Sequence, residues 1–222
     1  MKTTQIQGRF LGLDSSAIAA SCAIVQSGRV LAQAADHSKT THSQTLMPLA
    51  DRVLQAAGLT LSDIDTFAVS NGPGSFTGLR IGVSAAKGMA FAQGKPVCGV
   101  STLLALAYSC IGRDCIACPV MDARRGEVYN ALFEVKGERI TRLTEDRAIP
   151  LDELRLELKQ YSNRDVIVFG DCIDLPDCKS ERLCLAECVC MAALKQDFIN
   201  AKELMPVYIR LPQAERERNQ KQ

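Results

Sequence analysis

Strand-like hydrophobic runs fill the first part of the chain. They cover Arg9 to Leu13, Ser21 to Gln26 and Val30 to Ala35, and the last two are joined by a tight turn at Ser27-Gly28. A turn this short places its two strands side by side in opposite directions. The sequence therefore predicts an antiparallel start to a sheet.

From Thr41 onward the hydrophobic period becomes helical. The positions that share one face are Leu46, Leu49, Val53, Leu54 and Ala57, and Gly58 follows where a helix C-cap belongs. The spacing predicts a first helix that ends there. The elements predicted next are a strand from Thr66 to Ser70, a glycine loop from Gly72 to Gly78, a helix to about Gly94, a strand from Pro96 to Val100 and a helix capped by Ser101.

The second half repeats this order more loosely. The predicted elements are strands from Cys115 to Met121, from Glu127 to Val135 and near Ile140, a helix from Asp152 to Lys159, a strand from Asp165 to Phe169 and a helix from Glu181 to Lys195. Two such lobes, each with a mixed sheet flanked by helices, resemble the actin-like ATPase superfamily, also called the ribonuclease H-like fold. We expect an α/β protein with a first lobe at 1–104, an abbreviated second lobe at 105–200 and a C-terminal segment at 201–222 with a frayed tail.

Composition and charge narrow the class of protein. The 222 residues are 47% hydrophobic, and Lys+Arg at 26 against Asp+Glu at 25 give a formal charge of +1. That charge provides no strong field to attract RNA to this chain by itself. Since no apolar run reaches the roughly 20 residues of a membrane span and no signal-peptide core is present, we expect a cytoplasmic protein. Its ten cysteines should be reduced and mostly buried.

The glycine loop is a candidate anion site. Gly72, Gly74 and Gly78 follow a predicted strand and open a helix, where free backbone N–H groups at a positive helix end can hold phosphate. The spacing is neither a dinucleotide fingerprint nor a P-loop, because no Lys-Ser or Lys-Thr follows. A tight turn that needs glycine backbone angles explains the loop equally well.

The first predicted strand leads into Asp14-Ser15-Ser16, where actin-like ATPases hold a carboxylate. Both serine hydroxyls can donate to an anion, although Asp and Ser after a strand are also ordinary turn formers. The candidate vestigial phosphate site consists of Asp14, Ser15, Ser16, Gly72, Gly74 and Ser75.

The helix after the loop has an unusually flat side. Gly78, Gly82, Ala86 and Ala90 recur every four residues, so another backbone can approach closely. That backbone belongs either to a partner helix or to the protein's own sheet, and small residues serve both equally.

Two arginines mark a turn between the first strands of the second half. Arg124 and Arg125 lie within the segment Asp122 to Tyr129, whose charged tip can face the cleft between the lobes. Paired guanidinium groups hold phosphate or carboxylate, but solvated turn arginines are commoner.

Cysteines and histidines offer little chemistry. Cys115 and Cys118 have redox or zinc spacing, yet their side chains would alternate between the faces of a predicted strand. The later thiols Cys184, Cys188 and Cys190 lack a second pair at a known spacing. With only His37 and His42 present, the sequence predicts no histidine-based catalytic site and no metal site.

Taken together, these motifs resemble the TsaB family, also called YeaZ, the partner subunits of bacterial threonylcarbamoyl-adenosine synthesis. The resemblance covers most of the chain. It rests on segments 11–16, 42–49, 72–82, 87–88, 94–101, 122–129 and 206–210.

Departures from the related catalytic family, TsaD, are informative. At the two positions where TsaD holds metal-binding histidines, this chain has Thr102 and Leu106, which cannot bind iron or zinc as imidazole does. Where TsaD has a Gly-Gly turn that admits adenine, this chain has the single Gly170. The resemblance therefore implies a subunit without catalytic residues, metal or cofactor.

What the resemblance implies is a scaffold. The chain would form a heterodimer with TsaD through first-lobe helices, recruit the ATPase TsaE, and support transfer of threonylcarbamoyl from threonylcarbamoyl-adenylate to N6 of adenosine 37 in tRNAs that read codons starting with A. It would meet tRNA only through the complex, and it could form a homodimer when alone. The expected interface residues are Leu46, Leu49, Val53, Gly78, Gly82, Ala86 and Ala90. The alternatives are an actin-like ATPase, a metallopeptidase-like enzyme and a small-ligand sensor that uses the glycine loop.

Overall fold

Two mixed sheets organise the chain in the computed structural model, which describes residues 8–38, 40–170 and 185–210. The strands are β1 Arg9–Asp14, β2 Ala20–Gln26, β3 Arg29–Asp36, β4 Thr66–Gly72, β5 Val97–Ser101, β6 Asp114–Arg124, β7 Glu127–Asn130, β8 Phe133–Lys136, β9 Arg139–Arg142, β10 Arg147–Pro150 and β11 Val166–Gly170. The helices are α1 His42–Ala57, α2 Phe76–Gln93, α3 Thr102–Ala107, α4 Leu151–Leu158 and α5 Leu185–Ala193. Within these ranges no helix is long and apolar enough to cross a membrane.

The first sheet has five strands in the order β3-β2-β1-β4-β5. β1 pairs antiparallel with β2 and parallel with β4, and β4 pairs parallel with β5. The predicted antiparallel start is therefore confirmed. Because β1 and β4 run in the same direction, their carboxyl ends, Asp14 and Gly72, meet at one edge of the sheet.

Helices α1 and α2 cover one face of this sheet. Leu46, Leu49 and Val53 of α1 share a core with Leu11 and Val69 of the strands. Helix α1 ends where the sequence predicts, at Gly58, which has a left-handed φ of 67° and donates to carbonyls of the last turn.

Helix α5 covers the opposite face, which corrects one expectation. The sequence assigns this helix to the second lobe at 105–200, yet Val189 and Cys190 are buried together with Phe10, Val25 and Val100 of the first sheet. These strand residues point away from α1 and α2 and need a cover of their own. The first four residues of the helix predicted from Glu181, 181–184, lie outside the described residues.

The chain then stays with the first lobe. Ile199 exchanges two main-chain hydrogen bonds with Val97 of β5, at 3.0 and 2.9 Å, and Ala201 and Leu204 join the core under α2. The described part of the second lobe is thus the segment 114–170, and residues 185–204 complete the first lobe.

The second sheet is built around β6, in the order β10-β7-β6-β8-β9 with β11 parallel to β6. The single strand predicted from Glu127 to Val135 is two strands, β7 and β8. Between them the N–H of Leu132 donates to the hydroxyl of Thr144 at 2.8 Å. This interrupts the strand pairing with β6 at Leu132. β10 was not predicted. Helix α4 packs on one face of this sheet through Leu154.

Helix α3 connects the two lobes. Leu103 and Ala107 share a core with Ala117 and Phe133 of the second sheet. At its start the hydroxyl of Ser101 accepts from the N–H of Leu104, which confirms the predicted cap, and donates to Asp146 at 2.5 Å.

Candidate functional site: a cleft edge closed by the chain itself

The carboxylate of Asp14 lies at the carboxyl end of β1, and one of its oxygens accepts three hydrogen bonds from neighbouring residues. Its Oδ1 accepts from the N–H of Ser16 at 3.2 Å, from the Ser16 hydroxyl at 2.7 Å and from the Ser70 hydroxyl at 2.5 Å. All three residues are buried. No motif in the sequence pointed to Ser70, because only the parallel pairing of β1 with β4 brings it to Asp14.

Burial decides the ionisation of this carboxyl. Desolvation raises the pKa of Asp14 above its ordinary value, and it outweighs the hydrogen bonds from Ser70 and Ser16 and the charge of His42, which lower the pKa. The hydroxyls of Ser16 and Ser70 donate to Asp14, and so their hydrogen bonds are made within the protein.

The predicted phosphate residues are brought together, but they pack onto one another. The hydroxyl of Ser15 donates to the carbonyl of Gly78 at 2.8 Å, and the N–H of Ser75 donates to the carbonyl of Ser16 at 2.7 Å. A Cβ at Gly74 would lie 2.5 Å from that same carbonyl oxygen. The Ser15 hydroxyl and the Ser75 N–H are therefore taken by main-chain carbonyls, and the space above Gly74 is filled.

A C-terminal strap, residues 205–210, closes the other side of the glycine loop. The N–H of Val207 donates to the carbonyl of Asn71 at 2.7 Å, and a Cβ at Gly72 would overlap the carbonyl oxygen of Val207. Gly72 also has a φ of 140°, which other residues rarely adopt. The glycine at position 72 is thus required by a contact within the chain.

The strap also packs on the start of α2. The ring of Tyr208 lies 4.9 Å from that of Phe76, centroid to centroid. The Arg80 guanidinium lies 3.8 Å from the Phe76 centroid, and its Nε donates to the Tyr208 hydroxyl at 3.0 Å. We call these three side chains the aromatic–arginine stack.

At its end the strap reaches the second lobe. Arg210 donates to the carbonyl of Ala123 at 3.1 Å and forms an ion pair with Glu127, on either side of the β6–β7 turn. Of the C-terminal segment expected at 201–222, residues 201–210 are thus packed against both lobes. The tail expected to fray lies outside the described residues. The sequence pointed to the strap only through the resemblance of segment 206–210.

The flat side of α2 faces the protein's own sheet. A Cβ at Gly82 would lie 2.5 Å from the hydroxyl oxygen of Ser15 and 3.3 Å from a methyl of Val69, and one at Gly78 would overlap the Ser15 carbonyl. The residues expected to form a partner interface are all buried inside the lobe, namely Leu46, Leu49, Val53, Gly78, Gly82, Ala86 and Ala90. This corrects that expectation, since side chains that fill the core are not available to a partner.

A different strip of the same two helices faces solvent. Met47 of α1 is 47% exposed and Phe91 of α2 is 70% exposed. Ser84 and Gly88 of α2 are exposed as well. A partner that contacts the surface of α1 and α2 would therefore meet these exposed residues, which are close in sequence to the predicted interface residues.

The turn with the arginine pair is a hairpin, as predicted. Arg124 and Arg125 are exposed, with φ of 64° and 59°, and Gly126 follows at 75°. The N–H of Arg124 donates to Asp122 Oδ1 at 2.6 Å.

The candidate metal and redox positions lie in the core. Cys115 and Cys118 are buried in β6, and burial raises the pKa of the Cys115 thiol to about 11. Thr102 is buried without a partner for its hydroxyl in the described ranges, and Leu106 packs against the core between α3 and α5. Among the described residues no group of three or more His, Cys, Asp or Glu side chains could hold a metal ion.

Two lobes with mixed sheets, a β1 carboxylate beside a glycine loop and crossover helices define the class: the protein has the actin-like ATPase fold. A crystal structure from Pseudomonas aeruginosa, of a protein with similarity to peptidase YeaZ, superposes with a TM-score of 0.79 and 27% identity, over 91% of this chain and 100% of that one. YeaZ from the same organism superposes with a TM-score of 0.74 and 27% identity, over 90% and 99%.

The sequence comparisons identify the family. The family model described as TsaD, tRNA N6-adenosine threonylcarbamoyltransferase, matches residues 29–214. The tRNA threonylcarbamoyladenosine biosynthesis protein TsaB of Bacillus subtilis is 32% identical over 72% of this chain and 69% of its own length. TsaB of Escherichia coli is 32% identical over 73% and 71%. The chain belongs to the TsaB family, also known as YeaZ, which is related to TsaD.

Proposed function

We propose that this chain, whose TsaB relatives are named for tRNA threonylcarbamoyladenosine biosynthesis, acts in that process as a non-catalytic partner that dimerises with TsaD. In this role it supports transfer of threonylcarbamoyl from threonylcarbamoyl-adenylate to N6 of adenosine 37, in tRNAs that read codons starting with A. The strap over the glycine loop is the observation that carries this proposal. At the edge where an actin-like ATPase would hold phosphate, the carbonyl oxygens of Val207 and Ser16 occupy the space next to Gly72 and Gly74.

The hydrogen bonds of Ser15 and Ser16 support the same conclusion. A phosphate site needs donors that are free in the resting protein. Here the hydroxyls of Ser15 and Ser16 donate to Gly78 and Asp14 instead. Thr102 and Leu106, both in α3, have no imidazole that could bind a metal ion. The chain is proposed to act by binding, and TsaD to supply the catalytic groups.

The proposed interface with TsaD is the solvent-facing strip of α1 and α2. Met47 and Phe91 are large apolar side chains at 47% and 70% exposure, and apolar side chains of this size are enriched at protein interfaces. Ser84 and Gly88 precede Phe91 at helical spacing on α2 and are small and exposed, so a partner helix can approach there. The small residues beneath this strip position it on the sheet.

Co-elution with TsaD from the same cell tests the proposal. We expect the wild-type chain to co-elute in size-exclusion chromatography, and Met47→Asp to abolish co-elution with an unchanged circular dichroism spectrum. Leu156→Asp is the matched control, because Leu156 is 63% exposed on α4 of the second lobe. Equal effects of the two substitutions, or none, would contradict the interface.

Calorimetry tests the non-catalytic role. We expect no saturable heat when ATP, ADP or threonylcarbamoyl-adenylate is titrated into the chain alone. Binding of any of the three would favour a ligand sensor and contradict the proposal that the strap closes the phosphate edge of the cleft.

Recruitment of TsaE, a homodimer in the absence of TsaD and a cytoplasmic location belong to the same proposal.

A further inference from the structure

The β6–β7 hairpin carries arginines where the backbone disfavours them. Arg124 and Arg125 are both left-handed, at φ of 64° and 59°. The turn itself consists of Arg125 and Gly126, because Arg124 and Glu127 on either side of it are paired. Asn-Gly is the preferred sequence for a two-residue turn in which both φ angles are positive. An unfavourable backbone at an exposed tip indicates that the side chains themselves are used.

Neither guanidinium group pairs with a carboxylate in the described part of the chain. The two acidic residues of the hairpin are engaged elsewhere. Asp122 accepts from the N–H of Arg124, and Glu127 pairs with Arg210. The arginine side chains thus extend from the turn as exposed cations.

The first turn of α4, which contains Asp152 and Glu153, also lies beside the hairpin. Its Leu151 N–H donates to the carbonyl of Gly126 at 3.0 Å, which places this turn beside the hairpin. Asp152 pairs with Arg155 at 2.8 Å, and Glu153 forms no ion pair with either arginine of the hairpin. Within the ranges that the structure describes, neither arginine of the hairpin therefore has an ion-pair partner.

The aromatic–arginine stack lies close to this hairpin. Arg210 contacts Ala123 in the hairpin, and Tyr208, two residues earlier on the strap, contacts Phe76 and Arg80. Two extended residues span about 7 Å. The strap therefore links the hairpin to the stack, because Arg210 contacts the first and Tyr208 belongs to the second. Phosphate is held by guanidinium forks, and unpaired bases stack on aromatic rings and guanidinium planes.

We propose that Arg124 and Arg125 hold backbone phosphates of RNA, beside the aromatic–arginine stack. The inference rests on the proposed function, which supplies a tRNA substrate, and it adds a direct contact to a chain expected to meet tRNA only through its complex. RNA is favoured over an acidic protein surface because the stack beside the arginines suits bases and adds nothing for carboxylates. With a formal charge of +1 the interaction is local and salt-sensitive.

A substitution that improves the turn separates binding from folding. Arg125→Asn gives the turn its preferred Asn-Gly sequence, and Arg124→Asn places a residue that tolerates a left-handed φ at the end of β6, so in the double variant the Tm should rise while both cations are removed. The affinity of the full chain for a labelled tRNA anticodon stem-loop, measured by fluorescence anisotropy at low salt, should fall by roughly fivefold or more. The slope of log affinity against log salt should become shallower by ~0.7 for each phosphate that the variant no longer neutralises.

Arg139→Gln is the matched control, since Arg139 is exposed on β9 and forms no ion pair in the described ranges. It should leave the affinity and the salt slope at their wild-type values. An unchanged affinity in the double variant, a fall equal to that of the control, or a wild-type chain without saturable RNA binding would each overturn the proposal. A lower Tm together with weaker binding would do so as well, because the arginines would then be structural.

Co-elution with TsaD, run on the same double variant, keeps this inference distinct from the proposed function. We expect the double variant to co-elute like the wild type, because the hairpin lies on the second lobe and the proposed interface on α1 and α2. Loss of co-elution with RNA affinity retained would show that the arginines bind a protein instead. Failure of the wild type to co-elute would contradict the proposed function and leave the RNA measurement to be judged on its own.

Discussion

The N–H of Val207 donates a 2.7 Å hydrogen bond to the carbonyl oxygen of Asn71 and thereby fixes the C-terminal strap on the glycine loop. The carbonyl of Val207 then lies directly against Gly72. The glycine loop, whose sequence suggests a phosphate site, therefore binds the strap of the same chain.

Gly72→Ala should destabilise the protein. The new Cβ would overlap the Val207 carbonyl, and a φ of 140° is unfavourable for alanine. We expect the free energy of unfolding, from urea titration, to fall by about 1–3 kcal/mol. Gly88→Ala is the control, because Gly88 is an exposed position of α2 with open space around it. It should raise stability by up to about 1 kcal/mol. Similar changes in both variants would contradict the close approach of the strap to Gly72.

Gly82→Leu should unfold the first lobe. A Cβ there already lies 2.5 Å from the Ser15 hydroxyl oxygen, and the remaining leucine atoms have no room between α2 and the sheet. Overpacking of this kind costs about 1–3 kcal/mol or more, and far-UV circular dichroism with thermal melting measures it. Ser84→Leu, at an exposed position of the same helix, should leave the Tm within a few degrees of wild type. A folded Gly82→Leu protein would show that α2 can move away from the sheet.

Arg210→Ala should loosen the attachment of the strap to the second lobe. Arg210 is 15% exposed and Glu127 is 30% exposed, so removal of the arginine leaves a half-buried carboxylate without its partner. We expect a decrease of about 1–2 kcal/mol in the free energy of unfolding by urea titration, and faster proteolytic cleavage within the strap. Arg155→Ala removes a solvent-exposed pair with Asp152 and should cost at most about 0.5 kcal/mol. A strap cleaved at the wild-type rate would count against the tie.

Asp14→Asn should change how stability depends on pH. Burial raises the pKa of Asp14 above 3.8, so the native state holds the proton more tightly than the unfolded chain does. The stability that Asp14 contributes is present below pH 3.8 and is lost as pH rises through the folded pKa. Asparagine still accepts from Ser70 and Ser16 without a charge. The variant should therefore exceed wild type in stability at about pH 7, by a margin that shrinks towards about pH 4.

Ser70→Ala provides the complementary measurement. The Ser70 hydroxyl lowers the pKa of Asp14, so its removal should raise that pKa further and steepen the fall of stability with rising pH. Urea titrations at several pH values measure both variants. A difference between Asp14→Asn and wild type that stays constant with pH would show that the carboxyl titrates alike in the folded and unfolded chain.

Much of the fold was predictable because its signals are local. The end of α1 at Gly58 and the cap of α3 at Ser101 follow from residues within a few positions of each other. The antiparallel pair β2–β3 follows from a two-residue turn. The sequence does not predict the break between β7 and β8 at Leu132, because this break depends on Thr144, which lies between β9 and β10.

The sequence by itself determined the helices and strands of the first lobe, the neutral charge balance and the motifs shared with the TsaB family. Only the tertiary structure decided which element packs against each apolar surface. It placed α5 on the first sheet, turned Gly82 inward and brought Val207 to Gly72. Periodicity shows that a residue is buried, because burial recurs along one helix or strand. It does not show what buries the residue, because the covering element can come from any part of the chain.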